Sequence, residues 1–256
     1  MKKGIILTSF GTTHKDTLEK NILSLENLVA ENFKEDFVVL RAFTSRIVAK
    51  RLKSKGMEVD NPTEALEKMK GLGIKEIYIQ PSLIIEGHEY EKIQREVRDF
   101  KEENPDYLIK IGQPLLSTDR DYEEVVRALD LESPSGDQAL IFMGHGSDHS
   151  ADLAYEKLEE FFHRAGHDHV YVGTVEGSIN IDDIVARLDK SVTRAELRPF
   201  MLVAGDHATN DMASDEEDSW KSILEARGIE AQPKLLGLGE LAGIREIFLE
   251  HLKEIM

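Results

Sequence analysis

The chain contains no cysteine. This excludes thiolate nucleophiles, disulfides and cysteine-ligated zinc or iron–sulfur centres, so a tight metal site must be assembled from histidine and carboxylate. Long apolar runs are also missing. The first, Gly4-Ile5-Ile6-Leu7, is too short for a signal-peptide core or a transmembrane span, and no later segment reaches the required length. A cytoplasmic protein with no membrane partner is therefore expected. No glycine-rich turn ends in Gly-Lys-Ser or Gly-Lys-Thr, as a P-loop requires, so ATP is not expected to drive its chemistry. An excess of basic groups is absent too: the formal net charge is −17, which argues against a nucleic-acid partner.

The remaining composition suits an ordinary globular core. Hydrophobic residues make up 41% and charged residues 32% of the 256 positions, enough to fold without a metal or a crosslink. The charge is uneven. Residues 1–125 carry 20 basic and 23 acidic groups, whereas residues 126–256 carry 12 and 26. The second half should attract a cation, while the first retains the basic groups an anionic organic substrate needs.

Short apolar runs alternate with stretches of helical period, the pattern of a parallel α/β sheet covered by helices. Strands are expected at 3–9, 36–42, 75–81, 107–112, 138–144, 169–175 and 196–204, with a weaker one at 231–236. Helices are signalled by the Leu18, Ile22, Leu25, Leu28 and Val29 face, by Pro62, and over 89–100, 122–129, 153–162 and 241–252. The polar, turn-rich segment 132–137 reads as a linker between lobes 1–131 and 138–256.

The two lobes repeat one another. Ile5-Ile6-Leu7-Thr8-Ser9-Phe10-Gly11 answers to Leu140-Ile141-Phe142-Met143-Gly144-His145-Gly146. The strand from Val38 to Thr44 answers to Val170–Glu176, and Pro81 to Glu89 answers to Pro199 to His207. Two similar lobes, each a roughly four-stranded parallel sheet, with a cleft between them, are expected. In such sheets ligands bind beyond the carboxyl ends of the strands. His145, Glu176 and His207 each sit at that end of a different strand, and two imidazoles with a carboxylate form an open set for a divalent metal. Glu89, the repeat counterpart of His207, either takes a proton at the opposite side or complements a helix dipole. The turn at Phe10-Gly11-Thr12-Thr13 is expected to start a helix and offer its amides to a carboxylate.

Several stretches carry a specific likeness. SFGTT at Ser9–Thr13, RAFTS at Arg41–Ser45, EYEKI at Glu89–Ile93, FMGHG at Phe142–Gly146 and LVAGDHATNDMASDEEDSW at Leu202–Trp220 resemble the anaerobic-pathway cobalt chelatase family. Its members insert cobalt into sirohydrochlorin for cobalamin synthesis and share a fold with ATP-independent ferrochelatases. The resemblance implies that His145, Glu176 and His207 are metal ligands, that Co2+ is a substrate, and that Glu89 is an acidic residue across the cleft. His145 is expected to act as both ligand and proton acceptor, and His207 to complete the site.

A polycarboxylate macrocycle needs local cations. Arg41 is expected to grip a substrate carboxylate bidentately; Lys50, Arg51, Lys53 and Lys55 read as a solvated helix face. Ser9, Phe10, Gly11, Thr12, Phe43 and Gly144 complete the expected tetrapyrrole cleft, with Phe10 and Phe43 giving apolar surface. His163, His167 and His169 read as surface histidines. The acidic run Asp215–Asp218 fits either a helix N-terminus or an antechamber for hydrated metal, and His88 carries no assignment. Nickel or iron, a porphyrin, and a non-catalytic carrier are alternatives, and a homo-oligomer is left open.

Overall fold

The computed structural model describes residues 2–33 and 36–256. Among these residues it contains two four-stranded parallel sheets. The strands are β1 (Lys3–Ser9), β2 (Phe37–Phe43), β3 (Glu76–Pro81), β4 (Leu108–Ile111), β5 (Gln138–Gly144), β6 (Val170–Thr174), β7 (Arg194–Pro199) and β8 (Glu230–Pro233). The helices are α1 (Lys15–Thr17), α2 (Ser24–Phe33), α3 (Arg46–Ser54), α4 (Pro62–Gly71), α5 (His88–Glu103), α6 (Asp119–Ala128), α7 (Leu153–Arg164), α8 (Ile181–Arg187), α9 (Trp220–Glu225) and α10 (Ala242–Glu254). π-Helical turns occupy Leu18–Leu23 and Ala208–Met212. No helix among the described residues is long and apolar enough to cross a membrane.

The strand orders are β2-β1-β3-β4 and β6-β5-β7-β8, the same topology twice. The repeat extends to single hydrogen bonds. Ser82 N–H donates to the Thr8 carbonyl at 2.7 Å, and Phe200 N–H donates to the Met143 carbonyl at 2.7 Å, one residue after Pro81 and Pro199. Farther on, Leu115 and Leu116 donate to Leu83 and Ile84 as Leu238 and Gly239 donate to Met201 and Leu202, all at 2.9 Å. One part of the sequence alignment shifts. Ser45 N–H donates to Phe10 O and Glu176 N–H to His145 O, so Ser45, and not Thr44, is the counterpart of Glu176.

The seventh strand also ends earlier than its apolar run. Pro199 has no N–H to continue a ladder, and the chain leaves the sheet there. Met201, Leu202 and Ala204 are still buried, and Met201 and Ala204 pack as loop in the core of the second sheet with Trp220 and Met212. Buried loop and buried strand share one apolar signature.

By contacts the chain divides into residues up to Ser117 together with Ala242–Met256, and Thr118–Leu241. The boundary expected at 132–137 thus falls inside the second unit, as the connection from α6 to β5. The reason is packing. Tyr122 of α6 stacks on Phe161 of α7, centroids 5.1 Å apart, while α10 joins the first unit, where His251 Nδ1 bonds the Gln113 carbonyl at 3.1 Å. A Thr118–Asp121 capping box starts α6, as an Asn61–Glu64 box and Pro62 start α4.

Phe142 forms the centre of an aromatic cluster in the second unit. Its ring stacks on Phe162 at 5.4 Å and meets Phe200 edge-on at 5.7 Å. Phe142→Ala should lower unfolding free energy by about 3–5 kcal/mol, read as a reduced urea midpoint. A loss below 1 kcal/mol would show that this cluster does not support the fold.

Candidate functional site

His145 and Glu176 sit one and two residues beyond β5 and β6, whose ladder continues past the last paired residues. Val175 N–H donates to the Gly144 carbonyl at 3.1 Å and Glu176 N–H to the His145 carbonyl at 2.8 Å. Their side chains consequently leave from adjacent backbone. His207 precedes the π-helical turn Ala208–Met212, the wide form of helix often found at functional sites. The three side chains offer donor atoms all within 4.8 Å of one another. The two imidazoles lie edge to face, with centroids 4.6 Å apart, and all three residues are partly open to solvent.

Hydrogen bonding decides which nitrogen of each ring is available. His145 Nδ1 lies 2.9 Å from the Gly146 carbonyl, which can only accept, so Nδ1 carries the proton. His207 Nδ1 lies 2.7 Å from Asp211 Oδ2, and a carboxylate likewise only accepts, so Nδ1 donates and keeps its proton. Both rings thus keep an Nε2 lone pair for a cation. Asp211 was missed in the sequence, although its spacing of four residues from His207 on a helix is a legible signal. A carboxylate behind a metal-binding imidazole orients the ring and raises its basicity.

The two loops are tied from below by Asp152, which is buried. Its Oδ1 accepts from Ser147 N–H at 3.0 Å, and its Oδ2 accepts from Ser178 N–H at 2.7 Å and Ser178 Oγ at 2.8 Å. One carboxylate thereby holds the loop after His145 and the loop after Glu176. Tyr155 fills the space under the first loop. A side chain on Gly144 would lie 2.3 Å from the Tyr155 ring, and Gly146 has φ +81°. Neither position admits another residue without movement. Gly144 is therefore a packing residue beneath the loop and not an exposed cleft wall. Burial pushes the Tyr155 phenol well up, against hydrogen bonds with the Gly146 and His145 backbone that pull it down, so it stays protonated there.

The residues expected in the first unit divide. Phe10 is 49% exposed beside the Gly11 turn. Phe43 is fully buried, its ring packed against Gly11, so it supplies core and not ligand surface. Arg41 is also corrected. Its guanidinium is held by Glu26 of α2, Nε to Oε1 at 2.6 Å and Nη2 to Oε2 at 2.5 Å, which occupies the fork meant for a substrate. That hydrogen-bonded partner holds the guanidinium further above its already high ordinary pKa. Thr12 is buried, and its hydroxyl accepts from His14 N–H at 3.2 Å and meets Thr17 Oγ1 at 3.1 Å. The helix opens at Lys15 after His14, so the Thr12 and Thr13 amides do not form the expected helix start. Ser9 Oγ is buried with no hydrogen-bond partner among the described residues.

Glu89 is the second residue of α5, and its Oε2 is buried without a hydrogen bond among the described residues. Lys92 Nζ stands 3.8 Å from that oxygen and donates to the Thr44 carbonyl. Lys92 is a second residue the sequence reading passed over. Two of the histidines near residue 165 are hydrogen-bonded away from the trio: His163 Nε2 to the Val170 carbonyl at 3.0 Å and His167 Nδ1 to Ser133 Oγ at 2.7 Å. Asp215 of the acidic run pairs with Lys221 at 2.6 Å, which holds its carboxyl below the usual range.

Asp152→Asn would place an amide N–H against the two Ser178 donors or lose the Ser147 bond. Calorimetric titration with a divalent metal should show binding weakened about tenfold, and Asp211→Ala weakened roughly 10–100-fold, with circular dichroism unchanged. Wild-type affinity in both variants would refute the positioning roles.

The profile of the cobalt chelatase (CbiK) family matches residues 3–256. The chain is 42% identical over 261 residues to the sirohydrochlorin cobaltochelatase of Salmonella typhimurium, covering 100% of this chain and 97% of the relative. It is 36% identical over 255 residues to the sirohydrochlorin cobaltochelatase CbiKC of Nitratidesulfovibrio vulgaris, covering 98% and 89%. Among solved structures, SirB from Bacillus subtilis with Fe3+ superposes with a TM-score of 0.70 at 18% identity, over 100% of this chain and 96% of that one. The fold is shared with that protein, and the match along nearly every residue places this chain in the cobalt chelatase (CbiK) family.

Proposed function

We propose that this chain inserts Co2+ into sirohydrochlorin in the cytoplasm, without ATP, and that His145, Glu176 and His207 hold the incoming metal. The observation that carries the site assignment is the trio itself: donor atoms within 4.8 Å, two of the three residues preceding loops tied together by Asp152. The choice of cobalt and of the macrocycle rests on the two curated relatives, both named sirohydrochlorin cobaltochelatase.

Insertion requires a partly hydrated cation to exchange water for ring nitrogens while the pyrrolic N–H groups lose their protons. Three protein donors leave coordination positions open for that exchange. Glu176 supplies negative charge that offsets the cation, and the two Nε2 atoms supply neutral donors that release it without charge separation. His145 is the assigned proton acceptor: once its metal ligand role ends, its Nε2 lone pair is free to take a pyrrolic proton. Glu89 is assigned a second proton. Its buried, unbonded Oε2, with the Lys92 ammonium 3.8 Å away, favours that reading. Ser9, Phe10 and Gly11 are assigned to the macrocycle, with exposed Phe10 as its apolar contact.

Sirohydrochlorin mixed with Co2+ and catalytic protein should lose its metal-free absorption bands faster than the uncatalysed control, with more than one product per chain. No acceleration defeats the chelatase reading, and a stoichiometric limit means a carrier. His145→Ala and His207→Ala should each reduce turnover at least a hundredfold while the urea midpoint is kept. Full activity in both would remove the metal assignment.

A further inference from the structure

With Arg41 closed by Glu26, the macrocycle's carboxylates need other cations, and the sequence concentrates them. Residues 37–57 contain six basic and no acidic residues, in a chain with 49 acidic side chains. Five of the six, Arg46, Lys50, Arg51, Lys53 and Lys55, lie on α3 or at its C-cap, and all five are exposed. Among the described residues none of them makes an ion pair. The inner side of α3 is Val48, Ala49 and Leu52; the outer side presents Arg46, Lys50 and Lys53 in one row, with Ile47, 66% exposed, and Arg51 beside them.

At the amino end of α3 this arrangement opposes helix stability. Arg46 occupies the first helical position, where the dipole favours an acid, and the first turn holds no acidic residue. Arg46 and Lys50, four residues apart, repel each other. A net charge of −17 already keeps the chain soluble, so solubility does not require these cations. The helix also leaves from the carboxyl edge of the first sheet: Ser45, its N-cap, donates its N–H to the Phe10 carbonyl at 3.3 Å. A cationic row of ~10 Å thus begins beside an exposed aromatic residue.

We propose that the outer face of α3 captures the peripheral carboxylates of the macrocycle, Arg46, Lys50, Arg51 and Lys53 acting as the cations. The charge complementarity is between an acid-free helix and a rigid disc ringed with carboxylates, and Ile47 and Phe10 add apolar contact at its edge. The proposal rests on the tetrapyrrole reading given above. It revises the expectation that Lys50, Arg51 and Lys53 only face solvent.

The test is fluorescence titration of the full chain with uroporphyrin, an octacarboxylate porphyrin, and with a dicarboxylate porphyrin, at low and high salt. Wild-type protein should bind uroporphyrin more tightly, with affinity falling as salt rises. K50E/R51E should weaken uroporphyrin roughly tenfold, flatten its salt dependence and leave the dicarboxylate within twofold; K50Q/R51Q should fall between. The KM for sirohydrochlorin should rise in the same order. Unchanged uroporphyrin affinity overturns the proposal, including the case in which α3 docks an acidic protein instead. Equal loss of both porphyrins also overturns it, because the contact is then not with carboxylates. If wild-type protein fails to metallate sirohydrochlorin while the porphyrin difference stands, the chelatase reading fails and the capture surface survives.

Discussion

The candidate metal centre depends on a short extension of one parallel ladder. Where β5 and β6 end, the hydrogen bonds from Val175 to Gly144 and from Glu176 to His145 carry the pairing onward into what would otherwise be two independent loops. A parallel ladder sets both spacing and direction, so the backbones of His145 and Glu176 arrive side by side. Asp152 then closes the space below them. Its three accepted hydrogen bonds stop the loops from separating, and its burial keeps water from competing for them. The third side chain of the trio is placed by a different device, a π-helical turn whose Asp211 accepts a hydrogen bond from His207 Nδ1.

The repeat shows how one scaffold carries two chemistries. Phe10 in the first unit answers to His145 in the second, and Ser45 answers to Glu176, with the same backbone bonds between each pair. Exchange of an aromatic and a hydroxyl for an imidazole and a carboxylate puts two potential metal donors at the strand ends of the second unit, with no change in topology. Glu89 and His207 occupy the third equivalent position, each in the first turn after a glycine.

Much of this was legible in the sequence, because strands and their ends are local. All eight strands were expected, and the trio followed from strand-end position and the absence of cysteine. What failed depended on partners distant along the chain. Arg41 looked available because Glu26 lies on a preceding helix, and no pattern within a strand announces a helix-to-strand ion pair. Phe43 looked like ligand surface, but its burial is set by the Gly11 turn folding over it. Asp152 and Lys92 escaped notice because their roles are hydrogen bonds to backbone atoms that only the fold brings near. The lobe boundary was misplaced for a related reason: a turn rich in proline, serine and glycine looks the same whether it joins two domains or a helix to the next strand.

The exchange of helices between the two units has a consequence for how the chain acquires its structure. The second unit is one uninterrupted stretch, Thr118–Leu241, whereas the first is completed only by α10. During synthesis from the amino end, the second unit can close as soon as Leu241 is clear of the ribosome. The first unit, although its β1 emerges earliest, waits for residues more than a hundred positions later, with β3 and α2 lacking the helix that covers them. The part that begins first thus finishes last, and its apolar faces are the ones exposed longest to chaperones and to other nascent chains.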